Sequence, residues 1–154
     1  MTNIRFFLPS DTSALVRLFE EMQSYYKVPC PTPHVIESKL ASLPVGVEII
    51  VAEAEKIIGF AAFSSIYPGP SLTSGLFMKE LFVTAEARGT GVGKALVSAV
   101  AKIAVEQGHK RVDWTADRDN PALLSFYAGL GALAQQEKVF YRLSGDALLS
   151  LSQM

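Results

Sequence analysis

The run Arg88-Gly89-Thr90-Gly91-Val92-Gly93-Lys94 stands between the apolar stretch Leu81-Phe82-Val83 and an apolar-periodic stretch opening Ala95-Leu96-Val97. It reads as a strand feeding a helix through a glycine-rich turn. Glycines let the backbone approach a ligand closely, and the first amides of a helix have no internal partner, so they converge on anionic oxygens with the helix dipole behind them. The chemistry on offer is phosphate binding. A dinucleotide fingerprint started at Gly89 needs its third glycine where Lys94 stands. A P-loop needs glycine at Arg88 and Ser or Thr at Ala95. Neither signature fits, and the pattern left is Arg-x-x-Gly-x-Gly.

Downstream lies Asn120-Pro121-Ala122-Leu123-Leu124-Ser125-Phe126-Tyr127, an asparagine followed seven residues later by a tyrosine. Together the two segments resemble the pyrophosphate motif and the second cofactor motif of the GNAT superfamily of acyl-coenzyme A-dependent N-acyltransferases, and the resemblance runs from Ile4 to about Leu143. It implies an α/β fold with a mixed, mostly antiparallel sheet flanked by helices and a splay between strands four and five. It also implies acetyl-coenzyme A as cosubstrate, bound by Arg88 through Lys94, Asn120 and Leu123. The main chain of Leu81, Phe82 and Val83 is expected to receive the acyl carbonyl and the pantetheine arm.

Acyl transfer from a thioester to an amine poses two electrostatic problems. A primary amine with a pKa of about 10.4 is charged at neutral pH, so presenting its free base costs roughly 4.6 kcal/mol. The departing thiolate needs a proton, and phenol still holds one at neutral pH. By resemblance Tyr127 is that acid, although a tyrosine in an apolar helix is also a common packing residue. Asn120 is equally a helix cap.

Over its second half the chain most resembles the diamine and polyamine acetyltransferase branch, with no insertion from Arg88 to Asn120 and a similar ending, Tyr141-Arg142-Leu143. That branch carries an acidic pair on strand four where this chain has Lys79-Glu80, and a tyrosine and an acid near the end of the first helix where this chain has Tyr25-Tyr26. Neighbouring strand residues face opposite ways, so Glu80 replaces an acid lost at position 79 only if a bulge rotates it. Proton removal is expected to run through water to Glu80, to a backbone carbonyl, or to Glu21. The missing acids and the cationic Lys79 argue against a polycation and for a small, amino acid-like amine. Tyr25, Tyr26 and Lys79 are the candidate substrate contacts, with Lys79 as a merely solvated strand residue the alternative.

The elements that must position these groups follow from periodicity. A first strand over Ile4–Leu8 precedes a helix over Thr12–Tyr26 with Leu15, Leu18, Phe19 and Met22 on one face, and a second helix begins at Thr32-Pro33. Val47–Glu53 and Lys56–Tyr67 read as an antiparallel pair, Thr73–Thr84 as strand four, Gly91–Gln107 as the helix behind the turn and Arg111–Ala116 as strand five. Pro121 opens a further helix, and a final strand is expected around Val139-Phe140-Tyr141, followed by an amphipathic tail from Asp146.

At 154 residues, 49% hydrophobic and a formal net charge of −1, the chain suits a single N-acetyltransferase domain over residues 1–154. Charges of both signs are interspersed, which excludes a broad basic face for nucleic acid, and no stretch suits a bilayer. The opening Met1-Thr2-Asn3-Ile4-Arg5 lacks a secretory layout and Cys30 is the one cysteine, so a cytoplasmic location is expected. Cys30, between two prolines, reads as an ordinary loop thiol, and His34 and His109 as surface or capping residues without metal-ligand spacing. No metal is expected. The reading is an enzyme acetylating a small-molecule amine by direct attack in a ternary complex. A non-catalytic acyl-coenzyme A sensor and a protein N-terminal or lysine acetyltransferase are the alternatives. Homodimerisation is common in the resembled branch, and the apolar final strand and tail offer a surface for it.

Overall fold

The computed structural model describes all residues, Met1 to Met154, and the chain divides into two compact units, Met1–Thr115 and Ala116–Met154. The first unit is a five-stranded sheet in the order β1 (Asn3–Phe6), β2 (Val47–Glu53), β3 (Ile57–Ile66), β4 (Gly75–Val83) and β5 (Val112–Asp113). Its neighbours run antiparallel except for β4 and β5, which are parallel. β3 is central and covered on both faces, so Phe60, Ala61 and Phe63 are buried in near-continuous succession rather than in alternation.

Helices α1 (Thr12–Tyr26) and α2 (Pro33–Ala41) cover one face. Leu15, Leu18 and Met22 recur at helical spacing and pack with Ile36, Leu40, Ile49, Val51, Phe60 and Phe82. Pro33 at the first turn starts α2, where a missing amide hydrogen costs nothing. Helix α3 (Val92–Glu106) covers the other face, burying Val92, Leu96, Val100 and Ala104 at a strict four-residue spacing against Ile50, Ala61, Phe63, Leu76 and Met78. Gly108, at φ +82°, lets the chain leave α3.

Strand five is much shorter than the expected Arg111–Ala116. Pairing with β4 is confined to Leu76 with Val112 and Phe77 with Asp113, after which the strands part. The splay therefore leaves the second half of β4 unpaired on that side.

The second unit contains α4 (Pro121–Gly129) and α5 (Gly145–Ser152). The strand expected around Val139, Phe140 and Tyr141 is absent. A run of β-branched and aromatic residues favours an extended chain but does not make a ladder, which needs a hydrogen-bonding neighbour. Around this segment the main chain makes one local bond, from the Lys138 amide to the Gln135 carbonyl. None of the residues from Ala116 to Met154 is buried, and Tyr141 is 88% exposed.

Candidate active site

The glycine-rich turn begins where β4 ends. Thr84 opens a single 3-10 turn over Ala85–Ala87, and Glu21 of α1 holds its start. The Glu21 carboxylate accepts from the Thr84 hydroxyl at 2.8 and 3.1 Å and from the Ala85 amide at 2.9 Å. These bonds tie α1 to the turn across more than sixty residues of sequence. Thr90 turns its hydroxyl inward to the Ala87 carbonyl.

Gly89 (φ +75°) and Gly91 (φ +90°) occupy left-handed conformations, and a Cβ on either would meet nothing within 4 Å. Space is left on that side of the backbone, as close approach of a ligand requires. Gly91 caps α3 with no side-chain bond, and the first amide bond of the helix runs from Ala95 to the Gly91 carbonyl. The amides of residues 89 to 94 thus have no protein acceptor, and the positive end of the α3 dipole lies behind them. Lys94, in the first turn, is exposed. This arrangement fits a diphosphate.

Strand β4 carries a β-bulge. Phe63 pairs with Met78 and Ala62 with Glu80, so Lys79 is one residue too many for its partner strand. The bulge exchanges the faces of the strand: Leu76 and Met78 pack on the α3 side, whereas beyond it Phe82 packs on the α1–α2 side and Leu81 and Val83 on the α3 side. Glu80, opposite Ala62, thereby joins the α1–α2 face. Without the extra residue it would point the other way.

Lys79 stays 66% exposed and reaches the Glu80 carboxylate at 3.2 Å. An apolar cavity of about 300 Å³ opens beside this row, between α1, α2 and the sheet, with Phe19, Ile36, Leu40, Ile49 and Ala62 in its wall. Ala62 belongs both to the cavity wall and to the cross-strand pair with Glu80, so the cavity opens on the sheet face that Glu80 joins.

Tyr25 and Tyr26 end α1, their rings edge to face at 5.2 Å. Burial raises the Tyr26 phenol above its ordinary pKa, Glu80 and Tyr25 add to the shift, and Arg88 opposes it. The phenol therefore keeps its proton and lies within electrostatic reach of both Glu80 and Arg88. Arg88 folds back over this end of α1, its Nε donating to the Val83 carbonyl at 2.9 Å. Its guanidinium carbon sits 4.9 Å from the Tyr25 ring centroid and 5.4 Å from that of Phe82.

In the second unit, Asn120 caps α4 by accepting from the Leu123 amide at 3.2 Å. Tyr127 follows two turns on, with the Phe126 ring 5.2 Å away. Thus the first unit gathers Tyr25, Tyr26, Lys79, Glu80, Phe82, Val83 and the turn from Arg88 to Lys94, while Asn120, Leu123 and Tyr127 share α4. His109, read from sequence as a surface or capping residue, bonds Ser74 through Nδ1 at 2.8 Å.

Two features lay beyond sequence reasoning. Glu21 enters as an anchor of the turn, since Thr84 is its partner only once α1 lies on the sheet. The direction of the Arg88 side chain, away from the glycines and onto Tyr25, has no local signal either. The bulge had one faint sign, the charged pair Lys79-Glu80 interrupting the apolar run of strand four.

This architecture has known relatives. A D-amino-acid N-acetyltransferase of Saccharomyces cerevisiae is 29% identical over 143 residues, covering 89% of this chain and 87% of the yeast protein. An L-ornithine N5-acetyltransferase of Arabidopsis thaliana is 35% identical over 98 residues, 64% of this chain, and the match spans 43% of the plant protein's length. Among solved structures, an integron cassette protein from the mobile metagenome of V. cholerae superposes with a TM-score of 0.90 at 33% identity, covering 99% of this chain and 98% of that one. The family model for the acetyltransferase (GNAT) family matches residues 15–132, which takes in strands β2 to β5, the glycine turn and α4. On that match the chain belongs to the acetyltransferase (GNAT) family.

Proposed function

We propose that the protein transfers an acetyl group from acetyl-coenzyme A to a primary amine of a small, amino acid-like acceptor by direct attack in a ternary complex. One observation carries the reading: six consecutive main-chain amides, residues 89 to 94, stand open at the N-terminus of α3. In this reading they and Lys94 hold the cosubstrate's diphosphate, and the unpaired half of β4 receives its pantetheine arm and acyl carbonyl. The cosubstrate supplies the activated acyl group.

Glu80 takes the proton of the acceptor ammonium, directly or through one water. The freed nitrogen forms its bond to the acyl carbon as the carbon–sulfur bond breaks; Tyr127 gives its proton to the leaving sulfur, and the second proton that the nitrogen sheds on becoming an amide restores the phenol through water. The bulge supports the role of Glu80, since it turns that carboxylate to the face holding Tyr25, Tyr26 and the cavity. The motif spacing from Asn120 supports Tyr127. The cavity takes the apolar part of the acceptor, and the names of the yeast and plant relatives support an amino acid as its class.

Within the family the uninterrupted spacing from Arg88 to Asn120 supports a kinship with the diamine and polyamine branch, with an altered acceptor site. An exposed unpaired Cys30 suits a reducing compartment, the cytoplasm. We also infer a homodimer, on the exposure of Val139, Phe140, Tyr141, Leu148, Leu149 and Leu151 in a unit that buries nothing. Light scattering that gives a monomer mass at micromolar concentration overturns that part.

The central test is thiol release from acetyl-coenzyme A with a panel of amines and amino acids, each product identified by mass. Amine-dependent release with an acetylated amino acid is expected. Cofactor binding without any amine-dependent release would instead establish a sensor.

A further inference from the structure

The side chain of Arg88 is oriented in a way that a phosphate-binding role does not require. Its Nε is committed to the Val83 carbonyl, and its plane is held by the rings of Tyr25 and Phe82. The other four N–H groups have no protein acceptor, and no carboxylate pairs with this cation. A guanidinium fixed by one bond and two ring faces is preorganised, so its remaining fork loses little freedom on meeting a planar anion.

Phe82 and Glu80 lie on the same face of β4, and both Arg88 and Glu80 act on the Tyr26 phenol. One patch therefore presents a fixed cation and a carboxylate at separate points, on the sheet face where the apolar cavity opens. That charge pattern complements a zwitterion. A diamine or polyamine would bring a second ammonium toward Arg88 and be repelled.

Resting on the transferase reading above, we propose that the Arg88 guanidinium is the receptor for the acceptor's carboxylate, which makes Arg88 the residue that selects amino acids over simple amines. The acceptor lies across the face with its carboxylate forked on Arg88 and its reacting nitrogen toward Glu80. The turn still binds the cosubstrate through main-chain amides, so the side chain is free for this second task.

Matched acceptors that differ by the carboxylate alone test the assignment: ornithine against 1,4-diaminobutane, and leucine against 3-methylbutylamine. The reading is kcat/KM for each acceptor and the dissociation constant of coenzyme A by calorimetry, for wild type, Arg88→Gln and Arg88→Lys. Wild type is expected to favour the carboxylate-bearing member of each pair. Arg88→Gln should reduce that preference about 10- to 100-fold, chiefly through acceptor KM, and Arg88→Lys should restore part of it. An unchanged preference in Arg88→Gln overturns the proposal. So does an equal loss for both members with weakened coenzyme A binding, which would give the side chain to the cosubstrate's phosphates. A wild type that acetylates amines without preferring the carboxylate removes the receptor and leaves the transferase standing. A wild type that acetylates nothing in the panel removes both.

Discussion

At the scale of single residues, side-chain chemistry is set as much by neighbours as by type. Lys79, which stands where the resembled branch carries an acid, spends its charge on Glu80 and remains largely in water. Such an exposed pair contributes little to stability, but it keeps a cation beside the carboxylate that is proposed to accept the acceptor's proton. Tyr127 makes the sharpest residue-scale prediction. If its phenol protonates the leaving sulfur, Tyr127→Phe lowers kcat by about 10- to 1000-fold with acceptor KM little changed, as steady-state kinetics will show. Unchanged turnover reassigns the ring to packing against Phe126.

Elements impose demands that single residues cannot reveal. The link from β4 to α3 needs left-handed backbone at Gly91, where the absence of nearby atoms makes conformation, not crowding, the cost of a side chain. Gly91→Ala should cost about 1–2 kcal/mol of stability and place a methyl where the ligand is to approach. Calorimetry should show coenzyme A bound at least tenfold more weakly. Gly59 is the opposite case. A Cβ there would stand 2.9 Å from the Phe82 carbonyl and 3.3 Å from Leu96 Cδ1, so β3, β4 and α3 would all have to shift. Gly59→Ala is expected to lower Tm by about 5 °C or more, read in a thermal melt, with activity lost in proportion to unfolding.

Across the molecule, the first unit is secured far from the turn by Arg5. Its guanidinium bonds both oxygens of the buried Asp11 at 2.8 and 2.9 Å and both of Glu53 at 2.8 and 3.0 Å, joining β1, β2 and the start of α1. Those bonds hold the Asp11 and Glu53 carboxyls below their ordinary pKa values. A depressed carboxylate contributes stability that is fully present above its unfolded pKa of about 4 and is lost as pH falls through the folded value. Wild type should therefore lose stability on acidification from pH 5 to pH 2 more steeply than Asp11→Asn, which starts less stable. Denaturant melts at each pH check this; parallel slopes would show that the pair does not govern acid sensitivity. The second unit has no comparable centre, and its apolar surface is what the inferred homodimer would cover.

Periodicity alone determined the helices α1 and α3 and the strands β2 and β3, because a buried face repeats every 3.6 or two residues whatever packs on it, and Pro121 behind Asn120 marked the start of α4. Motif spacing likewise marked the glycine turn and the Asn120–Tyr127 segment, since left-handed backbone and open helix amides are local properties. Three matters waited on tertiary structure: the face that Glu80 occupies, the ring pair over which Arg88 lies, and the failure of Val139–Tyr141 to become a strand. Each depends on a partner distant in sequence, be it the count of residues on β3, the end of α1, or a neighbouring backbone to complete a ladder. Local pattern carries no information about such partners.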